Sequence, residues 1–245
     1  MSTQKNKVAF ITGGNRGIGL QTALELGRLG IEVILGVRDP EDTSAVRTLR
    51  AEGITADAIH YDAAKPETDR AAFAYLERRF GKLDILVNNA GVLLEPLMGK
   101  DAATLPEATL RSTFDTNFFA VVRLTQTLLP LVRKADAGRI VNLSSVLGSL
   151  TMHAAPDSPI AAAKAFAYNA SKAALNAFTI HLADELRDTP IKVNSAHPGW
   201  VKTPLGGPAA PMEVADSAKT SVQLATLGAD GPSGGFFHVG DPLPW

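Results

Sequence analysis

Val8-Ala9-Phe10-Ile11-Thr12-Gly13-Gly14-Asn15-Arg16-Gly17-Ile18-Gly19 is an apolar run that breaks into glycines and leads at once into a helical pattern, Ile18–Leu29. A strand, a glycine turn and a helix in that order are the context a dinucleotide site requires. Glycines there permit a tight turn and let backbone N–H groups approach a pyrophosphate at the positive end of the helix. The spacing is Gly-x-x-x-Gly-x-Gly, not Gly-x-Gly-x-x-Gly. No Gly-Lys-Ser/Thr follows, which excludes a Walker-type ATP site.

Outward from this turn, short aliphatic runs alternate with longer helical patterns, the mark of βαβ units and a parallel sheet. Strands are expected at Val8–Thr12, Glu32–Val37, Ala56–Tyr61, Leu83–Asn88, Arg139–Leu143, Lys192–His197 and Phe236–Val239. Several are continuously apolar, as parallel strands covered on both faces should be. The remaining helices are expected at Glu41–Glu52, Glu67–Phe80, Leu105–Arg133, Tyr168–Arg187 and Met212–Leu227. Gly30, Gly53 and Gly81 follow helices where a left-handed cap suits glycine. The fold class is therefore α/β: one doubly wound domain over residues 1–245, with a seven-stranded parallel sheet and helices on both faces. The stretch Thr203–Pro211 reads as an irregular loop, of the kind that closes over ligands.

Composition narrows the function. The chain has 245 residues, 24 Lys+Arg against 25 Asp+Glu, and no cysteine. That near-neutral balance argues against a nucleic-acid partner, which needs concentrated positive charge. Without cysteine there is no thiolate nucleophile or Cys-ligated metal. The histidines, His60, His153, His181, His197 and His238, show no metal-ligand spacing, so no metal is expected. The start Met1–Lys7 is polar and no apolar run is long enough to span a bilayer. A cytoplasmic protein with no membrane partner is the expectation.

Tyr168 and Lys172 are four apart at the start of a helix and share one face. An ammonium beside a phenol favours the phenolate, which would lower the tyrosine pKa and make Tyr168 a usable proton donor and acceptor. Tyr61/Lys65 and Tyr75/Arg79 have the same spacing. However, Pro66 disfavours helix at Lys65, and Tyr75 lies mid-helix, away from the strands' carboxyl ends. Only Tyr168 follows a strand and a loop, Ser144-Ser145, at the sheet's ligand-binding edge.

In this set the sequence resembles the short-chain dehydrogenase/reductase family. The motifs are Thr12-Gly13-x-x-x-Gly17-x-Gly19, Asn88-Asn89-Ala90-Gly91, Asn117, Ser145, Tyr168-x-x-x-Lys172 and Pro198-Gly199, in family order along nearly the whole chain. Pro198-Gly199-Trp200-Val201-Lys202-Thr203 and the Gly- and Phe-rich end resemble its carbonyl-reductase branch. The resemblance implies a Rossmann-type domain that transfers hydride between a nicotinamide nucleotide and a small carbonyl or alcohol. Tyr168 would be the general acid, Lys172 would hold the nicotinamide ribose, Ser145 would hydrogen-bond the substrate oxygen, and Asn117 would hold a relay water. Gly13, Asn15, Arg16, Gly17, Ile18 and Gly19 would cradle the phosphates. Asp62 and Ala63 would meet the adenine, and Asn89, Ala90 and Gly91 its ribose. Pro198, Gly199, Val201 and Thr203 would contact the nicotinamide end. The family position that carries an acid in NAD-specific members is Val37. Arg38 and Arg16 are basic instead, so NADP(H) is expected over NAD(H), with Asp39 the one contrary charge. The expected substrate walls are apolar, drawn from Leu93, Leu94, Val146, Met152, His153, Trp200 and Leu205.

The sequence departs from the family between Ser145 and Tyr168, where Leu150–Ala167 holds extra residues. Whether that segment covers the helices Leu105–Arg133 and Tyr168–Arg187, which would meet in a homo-oligomer, is not written in the pattern. Two other readings share the motifs: an alcohol or hydroxysteroid-type dehydrogenase working oxidatively, and a non-catalytic nucleotide-sensing protein on the same fold.

Overall fold

The computed structural model describes residues 7–99 and 101–245; the polar start Met1–Asn6 lies outside them. Strands β1 (Val8–Thr12), β2 (Glu32–Val37), β3 (Ala56–His60), β4 (Ile85–Asn88), β5 (Arg139–Leu143), β6 (Lys192–Ala196) and β7 (Phe236–His238) are all parallel. An eighth strand, β8 (Asp241–Pro242), returns antiparallel along β7. The order across the sheet is β3-β2-β1-β4-β5-β6-β7-β8. The expected count of seven was one short. The extra strand is two residues on an edge, reached through Val239 and Gly240, which take φ of 48° and 90°. Successive positive φ values are those of the tight turn that matches strand twist, and the Val239 N–H is held by the Thr220 hydroxyl at 2.9 Å. Nothing in so short a stretch alternates, so no pattern announces it.

Alternate residues of the strands feed two cores. Ala9, Ile11, Val33 and Leu35 face α1 (Gly17–Arg28), α2 (Ser44–Ala51) and α8 (Lys219–Ala225). Val8, Phe10, Ile34 and Leu86 face α3 (Glu67–Phe80), α5 (Ala120–Val132) and α7 (Phe166–Glu185). Period-two side-chain alternation in a strand covered on both faces requires apolar residues at every position.

The helix expected over Leu105–Arg133 is broken. It runs as α4 (Glu107–Phe114), then a π-helical turn at Asp115–Phe119, then α5. A π turn carries one extra residue and rotates what lies on it, and such turns concentrate at functional sites. Here it carries Asn117, fully buried. A short helix not expected, α6 (Leu150–Ala154), occupies the start of the inserted segment, capped by the Ser149 hydroxyl on the Met152 N–H. The helix expected from Met212 begins with a 3-10 turn at Val214–Asp216. Among the described residues no helix is long and apolar enough to cross a membrane.

Candidate active site

Strand order reverses between β1 and β4. In open α/β sheets, the crevice outside the strand carboxyl ends at such a point is where ligands sit. A cavity of about 1190 Å³ opens there. Its first wall is the glycine turn, with Gly13, Asn15, Arg16, Gly17, Ile18 and Gly19 all on the surface. Gly17 has φ of 54°, which only glycine adopts cheaply. At Gly19 a Cβ would press on the Gly13 carbonyl and lie 2.6 Å from Asn89 Nδ2. The missing side chain lets helix α1 start against the strand, leaving a cradle of bare backbone that fits a pyrophosphate.

Thr12 and Asn89 clamp this turn to the end of β4. The Thr12 hydroxyl accepts the N–H groups of Asn89 and Ala90, each at 3.0 Å, and Asn89 Nδ2 donates to the Thr12 carbonyl at 2.7 Å. Asp62 and Ala63 line one end of the cavity and Ala90 and Gly91 the middle, with Pro198, Gly199, Val201 and Thr203 opposite. Arg16 and Arg38 are exposed on its rim, and neither side chain has a hydrogen bond or ion pair among the described residues.

Ser145, Tyr168 and Lys172 meet on the cavity floor, all buried. The Ser145 hydroxyl accepts the Leu147 N–H at 3.2 Å and stands beside the Tyr168 phenol. Lys172 Nζ stands 5.6 Å from the Tyr168 ring centroid and donates to the Leu143 carbonyl at 2.7 Å. The neighbouring hydroxyl, Ser144, is turned into the core onto Asn176 Oδ1 at 2.6 Å. Asn117 lies behind this floor. Its Oδ1 accepts the Val92 N–H at 2.8 Å, and its Nδ2 donates to the Val92 carbonyl at 2.9 Å and to Ser171 Oγ at 3.1 Å. A Cβ on Gly91 would lie 3.3 Å from Asn117 Oδ1 and 3.6 Å from Lys172 Nζ, so bare backbone joins the two.

The model of the short chain dehydrogenase family matches residues 7–213. The chain belongs to that family. It is 30% identical to the NADPH carbonyl reductase 1 of Mus musculus, over 97% of this chain and 98% of that one. In three dimensions it matches the Sniffer carbonyl reductase of D. melanogaster with a TM-score of 0.81 at 28% identity, covering 99% and 100% of the two chains. The NADPH-bound carbonyl reductase from chicken fatty liver gives a TM-score of 0.85 at 27% identity, over 98% and 100%. This family member is an NAD(P)-dependent oxidoreductase of carbonyl-reductase type.

Electrostatics in this dehydrogenase depart from the sequence expectation. Burial pushes the Tyr168 phenol up to about 12, against which the Ser145 hydroxyl acts, and pushes the Lys172 ammonium down to about 8. Desolvation disfavours both charged forms, and the ammonium is directed at Leu143 rather than at the phenol oxygen. The expected lowering of the tyrosine pKa is absent because both partners leave water together. The phenol therefore holds its proton at neutral pH. Raising pH removes the Lys172 charge before the phenol proton, so kcat/KM for NADPH should stay level to about pH 8 and decline above it, because that ratio reports the enzyme before the nucleotide binds. A profile flat to pH 10 contradicts this ordering.

The pocket wall also differs. Leu93, Val146, Trp200 and Leu205 line the cavity; Leu94, Met152 and His153 do not. Leu94 is 51% exposed, pointing away because neighbours in an extended loop face opposite sides. His153 is occupied elsewhere, with Nε2 3.0 Å from the Leu147 carbonyl and Nδ1 3.2 Å from Lys164 Nζ. Met152 shares that short helix. Their places are taken by Pro159, Ile160, Ala162 and Ala163 of the inserted segment. His197 is a further lining residue that no spacing rule singled out. Its Nδ1 accepts the Val146 N–H at 3.3 Å, and burial with His238 alongside pushes it down to about 3, leaving a neutral imidazole. The loop after Val201 is closed on itself, Trp200 Nε1 donating to the Gly206 carbonyl at 2.8 Å and Gly206 N–H to Thr203 Oγ1 at 3.0 Å.

Proposed function

We propose that this enzyme reduces the carbonyl of an apolar ketone, aldehyde or quinone-like compound to the alcohol, preferring NADPH, with Tyr168 as proton donor. The observation that carries this is the meeting of Ser145, Tyr168 and Lys172 on the floor of the cavity whose opposite wall is the glycine turn. A bound nicotinamide nucleotide supplies the hydride to the carbonyl carbon. The Ser145 hydroxyl donates to the carbonyl oxygen as charge develops there. Tyr168 passes its phenolic proton to that oxygen and is reprotonated from solvent. Lys172, held by the Leu143 carbonyl, keeps a positive charge beside the phenol and faces Gly91, where it would meet the nicotinamide ribose. Asn117 fixes Val92 and, through Ser171, the helix that carries the acid; a relay water would sit on its remaining lone pair.

The carbonyl-reductase relatives, rather than dehydrogenases named for oxidation, favour the reductive reading. The assembled triad favours catalysis over nucleotide sensing. The NADPH preference rests on the Arg16 and Arg38 side chains having no hydrogen-bond or ion-pair partner among the described residues, against which stand the cavity-lining Asp39, whose Oδ1 accepts the Glu41 N–H at 3.1 Å, and Asp42. Leu93, Ile160, Trp200 and Leu205 favour apolar substrates. The test follows NADPH absorbance against a panel of ketones, aldehydes and quinones. Consumption with at least one carbonyl, and product alcohol in equal amount, is expected; no consumption across the panel with cofactor bound would favour the sensor.

A further inference from the structure

Helix α7 carries both Tyr168 and Lys172, yet its N-terminus is not capped by its own sequence: Ala165, at the cap, supplies no side-chain hydrogen bond. The first N–H groups of any helix lack a carbonyl four residues back. Tyr168 is the third residue of α7, so its N–H is one of these orphans. It is met by Glu95 Oε1 at 2.8 Å, from 73 positions away in sequence. Glu95 is only 8% exposed, and its Oε2 is buried with no hydrogen-bond partner among the described residues. Burying a carboxyl with one oxygen unmatched costs stability. A carboxyl at a helix N-terminus recovers part of that through the helix dipole. The bond it makes goes to the backbone of the proposed proton donor.

Glu95 lies in the loop that leaves β4 at Asn89. That loop is tied to the glycine turn through Asn89 and Thr12, and to the π turn through Val92 and Asn117. Its third tie is Glu95 to Tyr168. The loop expected to meet the cofactor ribose is thus the same loop that sets the backbone of the acid.

We propose that Glu95 is a positioning residue that seats Tyr168 by accepting its backbone N–H, linking the cofactor-facing loop to the proton donor. The inference rests on the role given above to Tyr168. Its action is by hydrogen-bond acceptance at a fixed reach, so an amide oxygen in the same place should serve. Displacement of a catalytic group by a fraction of an ångström to an ångström costs roughly 10- to 100-fold in rate.

The experiment measures kcat, NADPH affinity and carbonyl KM for wild type, Glu95→Ala, Glu95→Gln and Tyr168→Phe. Glu95→Ala should lose at least ~10-fold in kcat, with NADPH affinity held within about twofold. Glu95→Gln should keep roughly a third or more of wild-type kcat, because its Oε1 accepts the same N–H. Glu95→Met, of similar volume and without an acceptor, replaces the alanine variant under the same criteria if that variant shows no cooperative unfolding. Amide exchange on the wild type supplies a readout free of any substitution: the Tyr168 N–H should be protected at least ~100-fold more than the Phe166 N–H, which has no such acceptor. Overturning results are an alanine (or methionine) variant within twofold of wild-type kcat, a glutamine variant as slow as it, a parallel loss of cofactor affinity, or an unprotected Tyr168 amide. If Tyr168→Phe itself stays active, the proposed chemistry fails rather than the role of Glu95. If Tyr168→Phe is inactive and Glu95→Ala is not, only the latter fails.

Discussion

Replacing Tyr168 by phenylalanine should lower kcat for carbonyl reduction by at least ~10² while leaving NADPH affinity nearly unchanged. The ring is buried in the cavity floor, so the variant keeps the volume and loses only the hydroxyl beside Ser145. A hundredfold corresponds to about 2.7 kcal/mol of transition-state stabilisation. That is the magnitude expected when a positioned acid is deleted and solvent must deliver the proton. Lys172→Ala should behave differently. The ammonium lies between the phenol and Gly91, so both turnover and cofactor affinity should fall. Kinetics on purified variants, with cofactor binding followed by fluorescence, check both. A Tyr168→Phe enzyme retaining more than half of wild-type kcat removes Tyr168 from the role of acid.

The second large effect concerns the nucleotide. With one carbonyl substrate, kcat/KM should favour NADPH over NADH by roughly 10- to 150-fold. At the end of β2 an NAD-specific site places a carboxylate that accepts from the ribose 2′-OH and repels a 2′-phosphate. Here that position is Val37, buried and unable to do either. Arg38 and Arg16 flank it on the cavity rim, and a guanidinium offers a flat fork of donors to phosphate oxygens. Two charge-assisted contacts, discounted for an exposed rim, amount to about 1.5–3 kcal/mol, which gives the stated ratio. Asp39, the charge that would oppose a phosphate, is engaged by the Glu41 N–H in the turn leading toward α2. Arg38→Ala should therefore shrink the preference several-fold by raising KM for NADPH and leaving that for NADH alone. A wild-type ratio near one, or an unchanged ratio in Arg38→Ala, defeats the assignment.

The elements that position these groups were legible in the sequence to different degrees. Strands β1, β2 and β5 and helix α3 stand where the pattern put them, residue for residue. Apolar runs ended by glycine or by a capping position carry their own boundaries. The glycine turn was equally legible, because a positive φ at Gly17 and the close approach at Gly19 are demands on the residue itself. The break in the helix carrying Asn117 was not. Its residues, Asp-Thr-Asn-Phe-Phe, contain no proline or glycine, and the turn coincides with the long-range clamp between Asn117 and Val92, which no local pattern announces. The pocket wall was half legible. Val146 and Trp200 adjoin motifs that fix their direction, whereas His153 was placed there by proximity in sequence and is drawn off by Leu147 and Lys164.

By itself, the sequence determined the strand–turn–helix units, the bare backbone of the phosphate cradle, and the face shared by Tyr168 and Lys172. Each follows from φ preferences, side-chain periodicity and helix spacing among residues a few positions apart. Tertiary structure alone decided that the Tyr168 pKa moves up rather than down, since that depends on how many groups exclude water from a phenol whose neighbours in sequence say nothing of its burial. It likewise decided that Pro159–Ala163, not His153, faces the cavity, and that Glu95 meets an N–H 73 residues away. Contacts of that separation are selected by packing of whole elements against one another, and a lone carboxylate in a loop carries no local pattern from which its partner could be read.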